Sequence, residues 1–176
     1  MKKILAALAT AALLFGCAST PQEKAVDSMT EMQKIKTTYL KKGTPAGMGI
    51  GTSKDKQIAY EKADQNARVD LAKEIDVQVK ALTENFKEDV NEEIAEHFQS
   101  TSASRVNTVL NGATMTDVKV ETTEDGHFEV YGVMTLNSSL VEEFIKMLEE
   151  QGKKAEAEKV RATAQKMYDR LDEKVK

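Results

Sequence analysis

The 176-residue sequence has one cysteine, no tryptophan, two prolines and only 5% aromatic residues. A single cysteine cannot close an intramolecular disulfide, so no disulfide framework staples the fold. With so few rings, a deep aromatic-lined ligand cleft is poorly supplied. Positive charge is not in excess either. The formal net charge is −4, and an acidic surface offers no general attraction to phosphate backbones or anionic headgroups. Nucleic acid is therefore not an expected partner.

A long apolar run is also missing. The stretch Ile4 to Phe15 would span only about 18 Å as a helix, short of the roughly 30 Å hydrocarbon core of a bilayer. Preceded by Lys2 and Lys3 and followed by Gly16-Cys17-Ala18-Ser19, it has the layout of an export signal, a positive start, a short apolar run and small residues at the end. Residues 1–16 are accordingly excluded from the fold. Leu14-Phe15-Gly16-Cys17 resembles the lipobox of bacterial lipoproteins, in which the cysteine thiol is acylated and the cysteine becomes the new N-terminus. The resemblance implies lipidation of Cys17 and a lipid bilayer as partner. Burial of acyl chains contributes roughly 0.8 kcal/mol per methylene, so several chains make detachment negligible. Ala18 and Ser19, with no aspartate after the cysteine, are similar to lipoproteins delivered to the outer membrane of Gram-negative bacteria. Which face of that membrane the domain occupies stays open.

Beyond the signal 160 residues remain, enough for one domain plus a tether. Without Lys2 and Lys3, 23 basic residues stand against 29 acidic ones, a formal charge of −6. Residues 17–45 read as the lipidated N-terminus and a tether with some local helix that docks on the domain, Met29, Met32, Ile35 and Tyr39 being spaced like one face of a short helix. Even ten extended residues would reach on the order of 33 Å, which would let the domain stand clear of the lipid. Residues 46–150 read as an α+β domain, and 151–176 as a charged C-terminal helix.

Within the domain, Ala46 to Ser53 alternates glycine with Met48 and Ile50 and predicts a strand with one apolar face. Its Gly-x-Gly-x-Gly invites comparison with phosphate-binding loops, but the glycines lie inside the strand and no Gly-Lys-Ser/Thr follows. From about Lys54 a long helix begins, with Thr52 and Asp55 in capping-box positions. Ala59, Ala63 and Ala67 suggest close approach to a flat surface such as a sheet, whereas Leu71, Ile75, Val79, Leu82 and Phe86 suggest a thicker core. A bend is expected near Asn85 to Asn91, since an unbroken helix from 54 to 99 would be about 69 Å long. Residues 106 to 123 alternate like a strand. Glu124-Asp125-Gly126 marks a tight turn, and Phe128, Val130, Gly132, Met134 and Leu136 are the inward face of a third strand, completing a hairpin. Ser139 to Glu142 is a capping box opening a helix, Gly152 an interruption, and Val160, Ala164, Met167 and Leu171 either a short coiled-coil seam or a helix laid on the domain.

Gly47 to Gly51, the alanines at every fourth position, and Ala67-Arg68, Leu71-Ala72 and Ile75 together resemble the Lpp-twenty family of small outer-membrane lipoproteins. The resemblance implies an α+β fold in which a long helix packs on a three-stranded, mostly antiparallel sheet in the order strand–helix–strand–strand. It carries over no catalytic site, cofactor or metal, and Arg68 reads as structural. His97, on a polar helix, and His127, on the hairpin turn, have no second ligand at a useful spacing, and the acidic runs read as solvated faces. A non-catalytic structural or interaction role in the cell envelope is expected. The partner would be another envelope protein or a second copy of the chain, bound through an open sheet edge or the 160–171 seam. The alternative is a small-ligand module using the sheet face around Met48, Ile50, Phe128 and Met134.

Overall fold

A computed structural model describes residues 21–136 and 139–173. The elements run α1 (Pro21–Lys41), β1 (Ala46–Ser53), α2 (Lys56–Asp89), α3 (Glu92–Gly112), β2 (Thr114–Thr122), β3 (Phe128–Thr135), α4 (Leu140–Glu150) and α5 (Lys154–Glu173). The three strands form one antiparallel sheet in the order β1-β3-β2, and the long helix α2 lies on it. This is the expected α+β fold.

The contact between α2 and the sheet is unusually thin. Ala59, Ala63 and Ala67 are fully buried and recur every fourth residue, so they form one ridge of α2. Against that ridge β1 presents Gly47, Gly49 and Gly51. A Cβ on Gly49 would sit 2.0 Å from the Ala63 carbonyl oxygen and 2.4 Å from the Ala67 nitrogen, and one on Gly47 would sit 2.2 Å from the Leu71 nitrogen. The helix and strand backbones are therefore in contact, which explains why the strand holds glycines without being a phosphate loop. Past Leu71, which lies against Gly47, the helix leaves β1. Leu71, Ile75, Leu82 and Phe86 then join Ile94, Phe98, Phe144 and Leu148 in a thicker core, where Phe98 meets Phe86 and Phe144 edge to face at centroid distances of 5.0 and 5.2 Å.

Several local expectations are corrected. Asp55, not Thr52, caps α2: its Oδ1 accepts from the amides of Gln57 and Ile58 at 2.8 and 3.1 Å, while Thr52 is still in β1. The bend does fall within the expected window, at Val90-Asn91, where Asn91 Oδ1 accepts from the Ile94 amide at 2.8 Å and starts α3. But α3 continues to Gly112, so residues 106–112 are helical rather than strand. Val106 and Leu110, four apart, both pack on the core. Ser139 does precede α4, yet its side chain makes no capping bond. Gly152, at φ +78°, separates α4 from α5. In α5, Val160 and Ala164 are buried and Met167 packs partly buried against the same core. The seam is thus the inner face of a helix laid on the domain.

The largest departure is at the N-terminal side. Residues 21–41, expected as a tether with some local helix docked on the domain, are helical throughout as the 21-residue α1, and it covers the sheet face opposite α2. Both faces of β3 are consequently buried: Val130 and Met134 on the α2 side, Tyr131 and Val133 under α1.

Candidate functional site

Helix α1 meets the sheet through Met32, which is buried on Ala46, Tyr131 and Val133 and flanked by Ile35, Tyr39, Leu40, Met48 and Ile50. Polar contacts rim this apolar strip on both sides. Toward β2, Ser28 Oγ donates to Glu121 Oε1 at 2.9 Å, Lys119 Nζ lies 2.7 Å from Glu31 Oε2, and Tyr39 Oη lies 3.5 Å from Asp117 Oδ2. Toward α2, Lys36 Nζ bonds Asp70 Oδ2 at 2.7 Å and Glu74 Oε1 at 2.8 Å. Burial alone would lower the Lys36 pKa, but the bonds to Asp70 and Glu74 more than offset it, and the ammonium is held above its ordinary range.

Asp70 has a second task. In an antiparallel edge strand every other residue turns its N–H and C=O outward, and in β1 these are Met48, Ile50 and Thr52. The Met48 amide donates to Asp70 Oδ2 at 2.8 Å, the Ile50 carbonyl accepts from Asn66 Nδ2 at 2.7 Å, and the Thr52 carbonyl accepts from Lys62 Nζ at 3.0 Å. Lys62, Asn66 and Asp70 are spaced four apart and form one flank of α2, so the helix that presses on β1 also blocks its free edge.

The opposite flank of α2 carries Asp64 and Arg68. The Arg68 guanidinium donates to Asp64 at 3.0 Å, to the Ala113 carbonyl at 3.2 Å and to the Leu110 carbonyl. It thus satisfies the C-terminal end of α3, the structural role expected of it.

The residues singled out in the sequence do not converge on one centre. His97 is half-buried with its ring edge-on to Phe144 at 5.5 Å, and His127 pairs with Asp125 in the hairpin turn at 2.7 Å. There, hydrogen bonds from Thr123 and His127 hold the Asp125 carboxyl down at about 2. Met48, Ile50, Phe128 and Met134 do not share a face. The first two lie under α1, Met134 is buried in the core beneath α2, and Phe128 packs with Ala59, Ala63 and Val130. An enclosed space between Thr101, Ser102, Leu140, Glu143, Phe144 and Met147 holds about 10 Å³, no more than one water. The apolar sheet surface needed by the small-ligand reading is therefore filled by the protein's own helices. Cys17 lies outside the described residues. Among the described residues no helix is long and apolar enough to cross a membrane.

A glycine-lined strand welded to an alanine ridge, followed by a second helix and a hairpin, makes up the α+β domain. The family model described as LPP20 lipoprotein matches residues 37–134, from the end of α1 through β3, and the chain belongs to that family. No curated protein and no solved structure matches it. The matched span leaves out most of α1 and all of α4 and α5.

Proposed function

We propose that this chain is an outer-membrane lipoprotein of the bacterial envelope, held by acyl chains on Cys17 and acting through the surface it presents rather than by catalysis. The observation that carries the reading is the coincidence of LPP20 family membership with the position of the chain's one cysteine, directly after Leu14-Phe15-Gly16 at the end of an export-type segment. The placement of α1 bears on how the domain is held. Only residues 18–20 separate Cys17 from Pro21, and a chain of that length reaches at most about 14 Å. The domain then rides close to the lipid surface, not at the end of a long spacer, and α1 links the anchor directly to the sheet. The charged groups that do converge, around Lys36 and Lys119, join packed elements to one another, which favours a structural or interaction role.

Substitution of Cys17 by Ser in the full-length chain tests the anchor. Wild-type protein is expected in the outer-membrane fraction after density separation of envelope membranes, and the Cys17→Ser protein in the soluble fraction. Retention of the variant in membranes overturns the reading.

A further inference from the structure

The two edges of the sheet are treated differently. At β1, three side chains of α2 occupy the outward backbone groups; at β2, among the described residues, none does. Thr123 and His127 face each other as a bonded pair, with the Thr123 amide 2.9 Å from the His127 carbonyl oxygen. Counting back along the register, Glu121, Lys119 and Asp117 pair inward with Glu129, Tyr131 and Val133. Val118, Val120 and Thr122 therefore turn their N–H and C=O groups away from the sheet. An irregularity between Met115 and Asp117 ends the regular edge on one side and the hairpin turn ends it on the other. What remains is a five-residue edge, residues 118–122, centred on Val120. Val118 in it is 41% exposed.

We infer that this edge pairs with the same edge of a second copy of the chain, antiparallel about a two-fold axis at Val120. The sequence of the edge selects both partner and register. With Val120 opposite Val120 of the second copy, Lys119 stands opposite Glu121 and Glu121 opposite Lys119, and Val118 meets Thr122, giving about six backbone hydrogen bonds. A shift of one residue, to a centre at Lys119, would set Lys119 against Lys119 and Asp117 against Glu121, like charge against like at every position on that face. The other two routes weighed for self-association are occupied in this fold, since α2 blocks the β1 edge and Val160, Ala164 and Met167 pack on the core. Edge pairing alone covers less than the roughly 1,200 Å² of a stable solution dimer, so it gains most where copies are confined to a surface. In that respect it rests on the anchored reading above.

Disulfide trapping in intact cells tests it, using the full-length chain with Val120→Cys and mild oxidation. A dimer band on non-reducing gels is expected, and Thr52→Cys on the blocked β1 edge should give at least about tenfold less. The double variant V118C/T122C, at two exposed positions, should trap the same dimer without touching the core. Adding Val118→Pro to Val120→Cys removes an outward N–H and no β2–β3 bond, and should reduce the dimer on the order of tenfold. Monomer throughout, equal trapping at Thr52, or adducts only with a different protein overturns the pairing. Fractionation of the same cells reads the anchor separately. A membrane-bound monomer contradicts only the pairing, and a soluble dimer contradicts only the anchor.

Discussion

The sheet is covered on both faces, and the two covers are built on opposite principles. On the α2 face, alanine meets glycine and the backbones touch, and the charged side chains Lys62 and Asp70 bond only the strand's outer edge. On the α1 face, Met32, Ile35 and Tyr39 stand between helix and sheet, and ion pairs close the margins. Backbone-to-backbone contact tolerates no added atom, because neither side can swing away. A layer of flexible side chains with polar margins can loosen locally. The first contact fixes the fold, whereas the second attaches to it the N-terminal helix α1.

The sharpest way to break this contrast is at Gly49. A Gly49→Ala methyl collides with the Ala63 and Ala67 backbone, so the expected loss is about 3 kcal/mol or more, a large part of the 5–15 kcal/mol typical of a domain. It should appear as a lower denaturant midpoint for the whole domain, and a change under about 0.5 kcal/mol would contradict the welded contact. Met32→Ala acts on the other face. Loss of its buried side chain should cost about 2–3 kcal/mol, and hydrogen exchange should show the amides of α1 deprotected well before those of α2 and β3. Uniform deprotection would mean the two covers are not distinct. Lys36→Met is the smallest of the three, about 1 kcal/mol at neutral pH. Since the folded-state pKa of Lys36 is raised above 10.5, its stabilisation is complete below 10.5 and is lost as pH rises through the folded value. The gap in thermal midpoint between wild type and variant should therefore hold from pH 7 to 9 and close above about pH 10.5.

The same contrast governs what could be read in advance. The alanine ridge was legible because its spacing has no other use, and the hairpin because Glu124-Asp125-Gly126 stands between two alternating runs. Helix α1 reads from sequence as a tether with only some local helix because its residues are mostly polar. Its apolar strip is narrow, and the ion pairs that fix it join residues such as Glu31 and Lys119, far apart in the chain. Residues 106–112 read as strand because Val106 and Thr108 flank the polar Asn107 and the segment runs on into the clear alternation of Asp117 to Glu121. Val106 and Leu110 also fit the four-residue spacing of a helix, and α3 extends through them, with Arg68 of α2 satisfying its final carbonyls. The blocked β1 edge depends on where α2 lies over the strand, a tertiary fact that no local pattern carries, although Lys62, Asn66 and Asp70 stand at helical spacing.

The central claim is that Cys17 is the lipid-bearing start of the mature protein and joins the membrane directly to α1. Mass spectrometry of the N-terminal peptide from envelope-purified protein addresses it most directly. The account predicts a peptide beginning at Cys17 and carrying the mass of its acyl chains. A peptide that retains residues 1–16, or that holds an unmodified Cys17, would contradict it.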